Sequence, residues 1–131
     1  VLPIWVETFA ITSALTVFTK EIVQRKRPYV YSEVYNGNKV AKNATASFFS
    51  GHTSITASST FFIAMVYSDY HPKSRWKPLM WTGAALIPAL TGLTRVKAGI
   101  HYWTDVIVGY AVGALVGTLT PYLHRREFRR K

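Results

Sequence analysis

The stretch WTDVIVGYAVGALVGTLTPYL, residues 103–123, decides the fold. It is apolar along most of its length, and Gly109, Gly113 and Gly117 recur every four residues, which places them on one face of a helix. Small residues at that spacing let helices approach closely inside lipid. A helix needs about 20 residues to cross about 30 Å of hydrocarbon. Residues 103–123 and a second apolar stretch, 1–19, meet that length, whereas 53–67 and 79–94 reach it only with their flanks. Trp5, Trp81, Trp103 and Tyr122 stand at segment ends, where aromatic side chains settle at a membrane interface. The expected architecture is all-α, a membrane-embedded bundle of about four spanning helices, with the buried helices of a soluble bundle as the alternative.

Working outward, the 131 residues suit one compact domain rather than two, so residues 1–131 are read as a single unit. The chain is 49% hydrophobic and 15% aromatic yet carries a formal charge of +10. Such a balance suits either a nucleic-acid binder or a membrane protein whose loops meet anionic headgroups. The clustering of apolar residues into four stretches favours the membrane and argues against nucleic acid. With no cysteine, disulfides, thiolate nucleophiles and cysteine metal sites are excluded. The chain begins at Val1, without an initiating Met, and is read as a processed product or a fragment.

Between the first two stretches lies a polar segment, residues 29–49, long enough to suggest a functional loop. Residues 68–78 read as a simple reversal, and residues 124–131 as a strongly basic tail. In an array of helical hairpins, alternate connections emerge on opposite sides. Lys20 to Pro28, Ser50-Gly51-His52, Arg95 and His101 therefore share one face, opposite Val1, the 68–78 turn and the tail.

The shared face carries the chemistry. His101 and Asp105 are four residues apart at the start of the last segment, so a carboxylate can orient an imidazole and stabilise the cation formed on attack. Alone, the pair reads equally as a surface contact or half of a metal site. Arg95 offers a planar fork of donors matched to phosphate oxygens, or simply ends a membrane helix. Lys20 and Arg27 are seven residues apart, two helical turns, so both are expected on one helix face ending near Pro28, with Arg25 and Lys26 pointing elsewhere, toward lipid headgroups. Ser50-Gly51-His52 stands where a loop enters a helix, a place suited to anions; Ser50 and Thr53 are also ordinary helix caps there.

Together Lys20-x6-Arg27-Pro28, Ser50-Gly51-His52 and Arg95-x5-His101-x3-Asp105 resemble, in order, the three-part signature of the type 2 phosphatidic acid phosphatase (PAP2) superfamily. The resemblance implies that His101 is a nucleophile forming a phosphohistidine, Asp105 its orienting partner and His52 the general acid. It implies that Lys20, Arg27, Ser50, Gly51 and Arg95 bind the phosphate, with no metal or other cofactor required. Phe49 stands where the family usually has proline, and Thr94 where it has serine; Phe49 is expected to contact an acyl or prenyl chain.

The implied activity is hydrolysis of a lipid phosphate monoester or diphosphate, of the phosphatidic acid, phosphatidylglycerol phosphate, undecaprenyl diphosphate or lipid A 1-phosphate type. Competing readings are a vanadium haloperoxidase, which shares the constellation, and a basic membrane anchor that binds anionic lipid without catalysis. The face opposite the site carries Lys73, Arg75, Lys77, Arg125, Arg126, Arg129, Arg130 and Lys131, none with an evident catalytic task. By the positive-inside rule that face is expected to be cytoplasmic and the site periplasmic, in a bacterial inner membrane.

Overall fold

The computed structural model describes residues 1–28 and 45–126. It contains four helices, α1 (Leu2–Val23), α2 (Gly51–Tyr70), α3 (Lys77–Lys97) and α4 (Trp103–Leu123), and no strand among the described residues. Most of the 29–49 segment and the last five residues of the tail lie outside the described residues. Successive helices run in opposite directions. Glu7, early in α1, faces His124 just past α4 at 3.5 Å, and Asp69, late in α2, accepts from Arg125 Nε at 2.9 Å. The Lys20, Gly51, Arg95 and His101 ends therefore gather at the other pole.

Helix α2 is the central element, packed against all three others. Its tightest partner is α4. A Cβ placed on Gly109, Gly113 or Gly117 would lie 2.7, 2.2 or 2.3 Å from the carbonyl oxygens of Ser50, Ser54 and Ser58 respectively. Two stripes of small residues, each of period four, thus meet backbone to backbone, as the glycine spacing predicts. Helix α1 presents a similar stripe: Thr8, Thr12 and Thr16 are buried, and each hydroxyl donates to the carbonyl four residues earlier at 2.7–2.8 Å. Thr16 also meets Ser54 Oγ at 3.1 Å.

The large apolar side chains point the other way. Leu2, Phe9, Leu15 and Phe18 of α1 and Ile107, Leu115 and Leu119 of α4 are exposed, while the packed apolar cluster is little more than Ile4, Phe62 and Val66. In water this arrangement would leave contiguous apolar surface far beyond what soluble monomers tolerate. In lipid it costs nothing, because hydrocarbon is as apolar as leucine and close packing of small residues holds the helices together. The bundle is membrane-embedded. Helices α1 and α4 are long and apolar enough to cross a bilayer by their own composition; α2 and α3 fall short of that measure, as expected of segments that reach spanning length only with their flanks.

Local details depart from the sequence reading in three places. Trp81, expected at an interface, donates its indole N–H to Ser68 Oγ at 3.0 Å and packs edge-on against Phe61, tying α3 to α2. Phe49, expected to touch a substrate chain, is buried at 3% exposure, near Gly109 of α4. Most consequential, α1 stops at Val23 rather than near Pro28. Gln24 adopts a left-handed conformation (φ 45°, ψ 43°) and donates its backbone N–H to Lys20 O at 3.0 Å, which closes the helix four residues early. Glycine adopts that conformation without the Cβ penalty, so Gln24→Gly should raise stability by about 0.5–1 kcal/mol in detergent melts; a lower Tm would overturn this reading of the cap.

One polar contact explains an interior proline. Pro88 in α3 has no N–H to give the carbonyl of Ala84, and Thr60 Oγ1 of α2 donates to that oxygen at 3.0 Å. The α3–α4 turn is equally specific. Ala98 closes α3, Gly99 turns through φ 70°, and Ile100 N–H returns to Arg95 O at 3.2 Å, so the chain reverses within a few residues and presents His101.

Candidate active site

His101 lies before α4, two residues ahead of Trp103, and is 2% exposed. Its Nδ1 faces Asp105 Oδ2 at 3.5 Å. The sequence reading placed both residues on one helical face; the structure brings them together by a helix cap instead. Asp105 turns its Oδ2 back to accept the backbone N–H of Tyr102, the N-cap residue, at 2.8 Å, and this aims the same carboxylate edge at His101. Asp105 is fully buried, yet well compensated: Ser47 Oγ donates to Oδ2 and Arg25 Nη1 to Oδ1, the latter at 3.0 Å.

Lys20 and Arg27 do converge, though by a route other than two turns of one helix. Because α1 ends at Val23, Arg27 belongs to the irregular segment that follows, and the two cations meet at Ala46, whose carbonyl accepts from Lys20 Nζ at 2.6 Å and from Arg27 Nη2 at 3.3 Å. The segment around Ala46 is itself tied down, Ser47 N–H donating to Arg25 O at 3.0 Å. Two like charges on one carbonyl repel, and an anion between them relieves that repulsion.

The first turn of α2 completes the site. Ser50 is its N-cap: buried, it accepts from Thr53 N–H at 3.3 Å, contacts Thr53 Oγ1 at 2.9 Å and donates its own N–H to Asp105 O at 3.0 Å. The last bond anchors the start of α2 directly on the residue that faces His101. Gly51 is where α1 comes closest, since a Cβ there would sit 3.2 Å from Thr16 Cγ2 and 4.0 Å from Lys20 Cε. A cavity of about 340 Å³ opens among Lys20, Arg27, Gly51, His52, Ile55, Thr56 and His101. Of the eight residues singled out from sequence, five line it; Asp105 stands behind His101, Ser50 beneath Gly51, and Arg95 at the end of α3, with its buried Nε unpaired among the described residues.

Burial is the chief influence on His101 and holds its pKa below the usual imidazole value; Arg27 and Lys20 act in the same direction, and the hydrogen bond and charge of Asp105 oppose them. Sequence reasoning missed Arg25, Ser47 and Ala46. Arg25 was assigned to lipid headgroups on the assumption of a continuous helix, but the left-handed Gln24 swings it onto Asp105, and its guanidinium lies 4.2 Å from the Tyr102 ring centroid. Nothing in the local sequence of Ser47 marks it.

The profile of the PAP2 superfamily matches residues 4–129. The chain belongs to the PAP2 superfamily. Similar PAP2 relatives include phospholipid phosphatase 1 of Rattus norvegicus, 31% identical over 70% of this chain and 34% of the relative. Phospholipid phosphatase 2 of the same species is 30% identical over 85% of this chain and 48% of its own length. Phosphatidylglycerophosphatase B of Bacillus subtilis (strain 168) is 32% identical over 74% and 45% respectively. The chain thus spans about a third to a half of these PAP2 proteins. No solved structure matches it.

Proposed function

We propose that this chain carries the active site of an integral membrane lipid phosphatase that cleaves a phosphate monoester or diphosphate through a phosphohistidine. The observation that carries the reading is the juxtaposition, around one cavity, of two cations held on Ala46 and a buried imidazole whose Nδ1 faces Asp105 Oδ2 at 3.5 Å. With the Nδ1 proton directed to Asp105, the Nε2 lone pair of His101 attacks phosphorus. As the N–P bond forms, the P–O bond to the leaving group breaks, and His52 protonates the departing oxygen. Water then attacks the phosphohistidine, with His52 taking its proton; the N–P bond breaks, which frees the His101 imidazole and releases inorganic phosphate.

Lys20 and Arg27 neutralise the equatorial oxygens, joined by the backbone N–H groups at Gly51 and His52 in the first turn of α2. Ser50 serves this set through the cap that fixes the start of the helix, and Arg95 through the buried Nε available at its edge. Substrates of the phosphatidic acid, phosphatidylglycerol phosphate, undecaprenyl diphosphate and lipid A 1-phosphate types share the headgroup chemistry the cavity suits. The names of the relatives favour a glycerophospholipid. All the catalytic groups in this scheme come from side chains and backbone, so turnover should persist in chelator. A panel of these lipid phosphates assayed with excess EDTA tests both points: phosphate release supports the reading, and activity that disappears on chelation and returns with a divalent ion would refute the metal-independent mechanism.

The low basicity of His101 has a directional consequence. A nucleophilic imidazole must be neutral, and one whose pKa lies below about 6.5 stays neutral into mildly acid solution. The acid limb of the kcat/KM profile should therefore fall below pH 6.5; a limb at or above it would contradict the burial argument. By the same sign, the preference for the neutral form adds stability above the unfolded-state pKa, and this is lost as pH falls through the folded-state value.

The site end of the bundle is proposed to face away from the cytoplasm, because Lys73, Arg75 and Lys77 join α2 to α3 at the opposite pole. With no native cysteine, Ala98→Cys at the exposed end of α3 reports orientation cleanly. An impermeant thiol reagent should label it in intact cells, and labelling only after lysis would reverse the assignment.

A further inference from the structure

We propose that Arg25 is a positioning residue for the His101–Asp105 pair, holding the carboxylate by its far oxygen so that the near oxygen meets the imidazole. The inference rests on the phosphohistidine reading above and extends it to a residue outside the cavity. Arg25 Nη1 bridges Asp105 Oδ1 at 3.0 Å and Thr104 Oγ1 at 2.6 Å, and the guanidinium carbon lies over the Tyr102 ring, 4.2 Å from its centroid. The groups that hold its guanidinium thus belong to Tyr102, Thr104 and Asp105, all within four residues after the nucleophile. Arg25 does not line the cavity, whereas Lys20 and Arg27, its neighbours in the same basic run, do.

The arrangement divides Asp105 between two tasks. Oδ1 is taken by Arg25, and Oδ2 receives Ser47 Oγ and Tyr102 N–H while facing His101. The bonds to Oδ2 fix one edge of this fully buried carboxylate, and Arg25 Nη1, itself anchored on Thr104, fixes the other, so that the carboxylate plane is held from both sides. Arg25 also offsets the negative charge that would otherwise raise the basicity of His101. The charged and titratable groups around that imidazole are Lys20 of α1, Arg25 and Arg27 of the following segment, His52 of α2, Arg95 of α3 and Asp105 of α4. Arg25 is the one that bonds to the carboxylate facing the imidazole.

Arg25→Ala in the full chain, assayed on a phosphatidic acid in mixed micelles, should lower kcat by up to about 100-fold with KM nearly unchanged, since orientation is lost and phosphate binding is not. The acid limb of kcat/KM should move to higher pH as Asp105 loses its counter-charge. Millimolar guanidine should restore part of kcat, because the site of Arg25 is 36% exposed and admits a small cation. In an Asp105→Asn background, Arg25→Ala should have little further effect. A rise in KM at constant kcat would make Arg25 a phosphate ligand, and unchanged kinetics would make it a surface cation; either overturns the proposal. If Arg25→Ala fails to fold, Arg25→Lys decides: it keeps the charge but not the fork, so reduced kcat with an unmoved acid limb supports positioning and wild-type kcat refutes it. His101→Ala in the same assay tests the underlying mechanism separately, since turnover by that variant would remove the reading while leaving the Arg25 contacts intact.

Discussion

His101→Ala should abolish lipid phosphate hydrolysis, with a loss on the order of 10⁴-fold or more in kcat, while the protein remains folded. The chemical half follows from the proposed role, because among the described residues that line the cavity no other imidazole faces a carboxylate. The structural half follows from Asp105. Removing the imidazole takes away one long contact at 3.5 Å, but the buried carboxylate keeps Arg25, Ser47 and the N–H of Tyr102. It is not left as an unpaired charge, which is the usual reason that deleting one partner of a buried pair unfolds a protein. The measurement is phosphate release alongside circular dichroism and size-exclusion behaviour in detergent. Activity within tenfold of the unmodified chain would dispose of the phosphohistidine.

The second large effect concerns the fold and sets two identical substitutions against each other. Gly113→Ala should destabilise the bundle by about 3 kcal/mol or more, since the added Cβ would sit 2.2 Å from Ser54 O and 2.8 Å from Ala57 Cβ, both fixed in the close α2–α4 contact. Gly83→Ala in α3 should instead stabilise by about 0.5–1 kcal/mol, for its Cβ would meet nothing within 4 Å and alanine is the better helix former. Thermal melts of both variants in one detergent compare them directly. Equal Tm shifts would mean that α2 and α4 are not packed as described. The Gly113 variant should also lose activity, because the same contact carries Ser50 onto Asp105 and so holds the α2 end of the site against the α4 end.

Much of this molecule is legible along the chain because its elements are helices with local signatures. The apolar stretches mark the four helices to within a few residues, and the four-residue spacing of Gly109, Gly113 and Gly117 announces a close contact, although not with which partner. Alternation of helix direction suffices to place Lys20, Gly51, Arg95 and His101 at one pole. The left-handed turn at Gln24 is the clearest failure of that reading. Glutamine has no special preference for positive φ, so periodicity carried the helix on to Pro28 and sent Arg25 to the wrong surroundings.

What the sequence by itself determined is the kind of protein and the inventory of its chemistry: a basic, apolar helical chain whose imidazole, carboxylate and cations occur in an order that matches the PAP2 superfamily. Those are properties of composition and spacing, and they survive without coordinates. The tertiary structure alone decided which groups touch. Arg25 rather than its neighbours reaches Asp105, Ser47 joins it from a segment 58 residues away, and Ala46 gathers Lys20 and Arg27 onto one carbonyl. The physical reason is that a buried carboxylate and two crowded cations must each find partners once water is excluded. Those partners are chosen by proximity in the folded bundle, and spacing along the chain does not encode it.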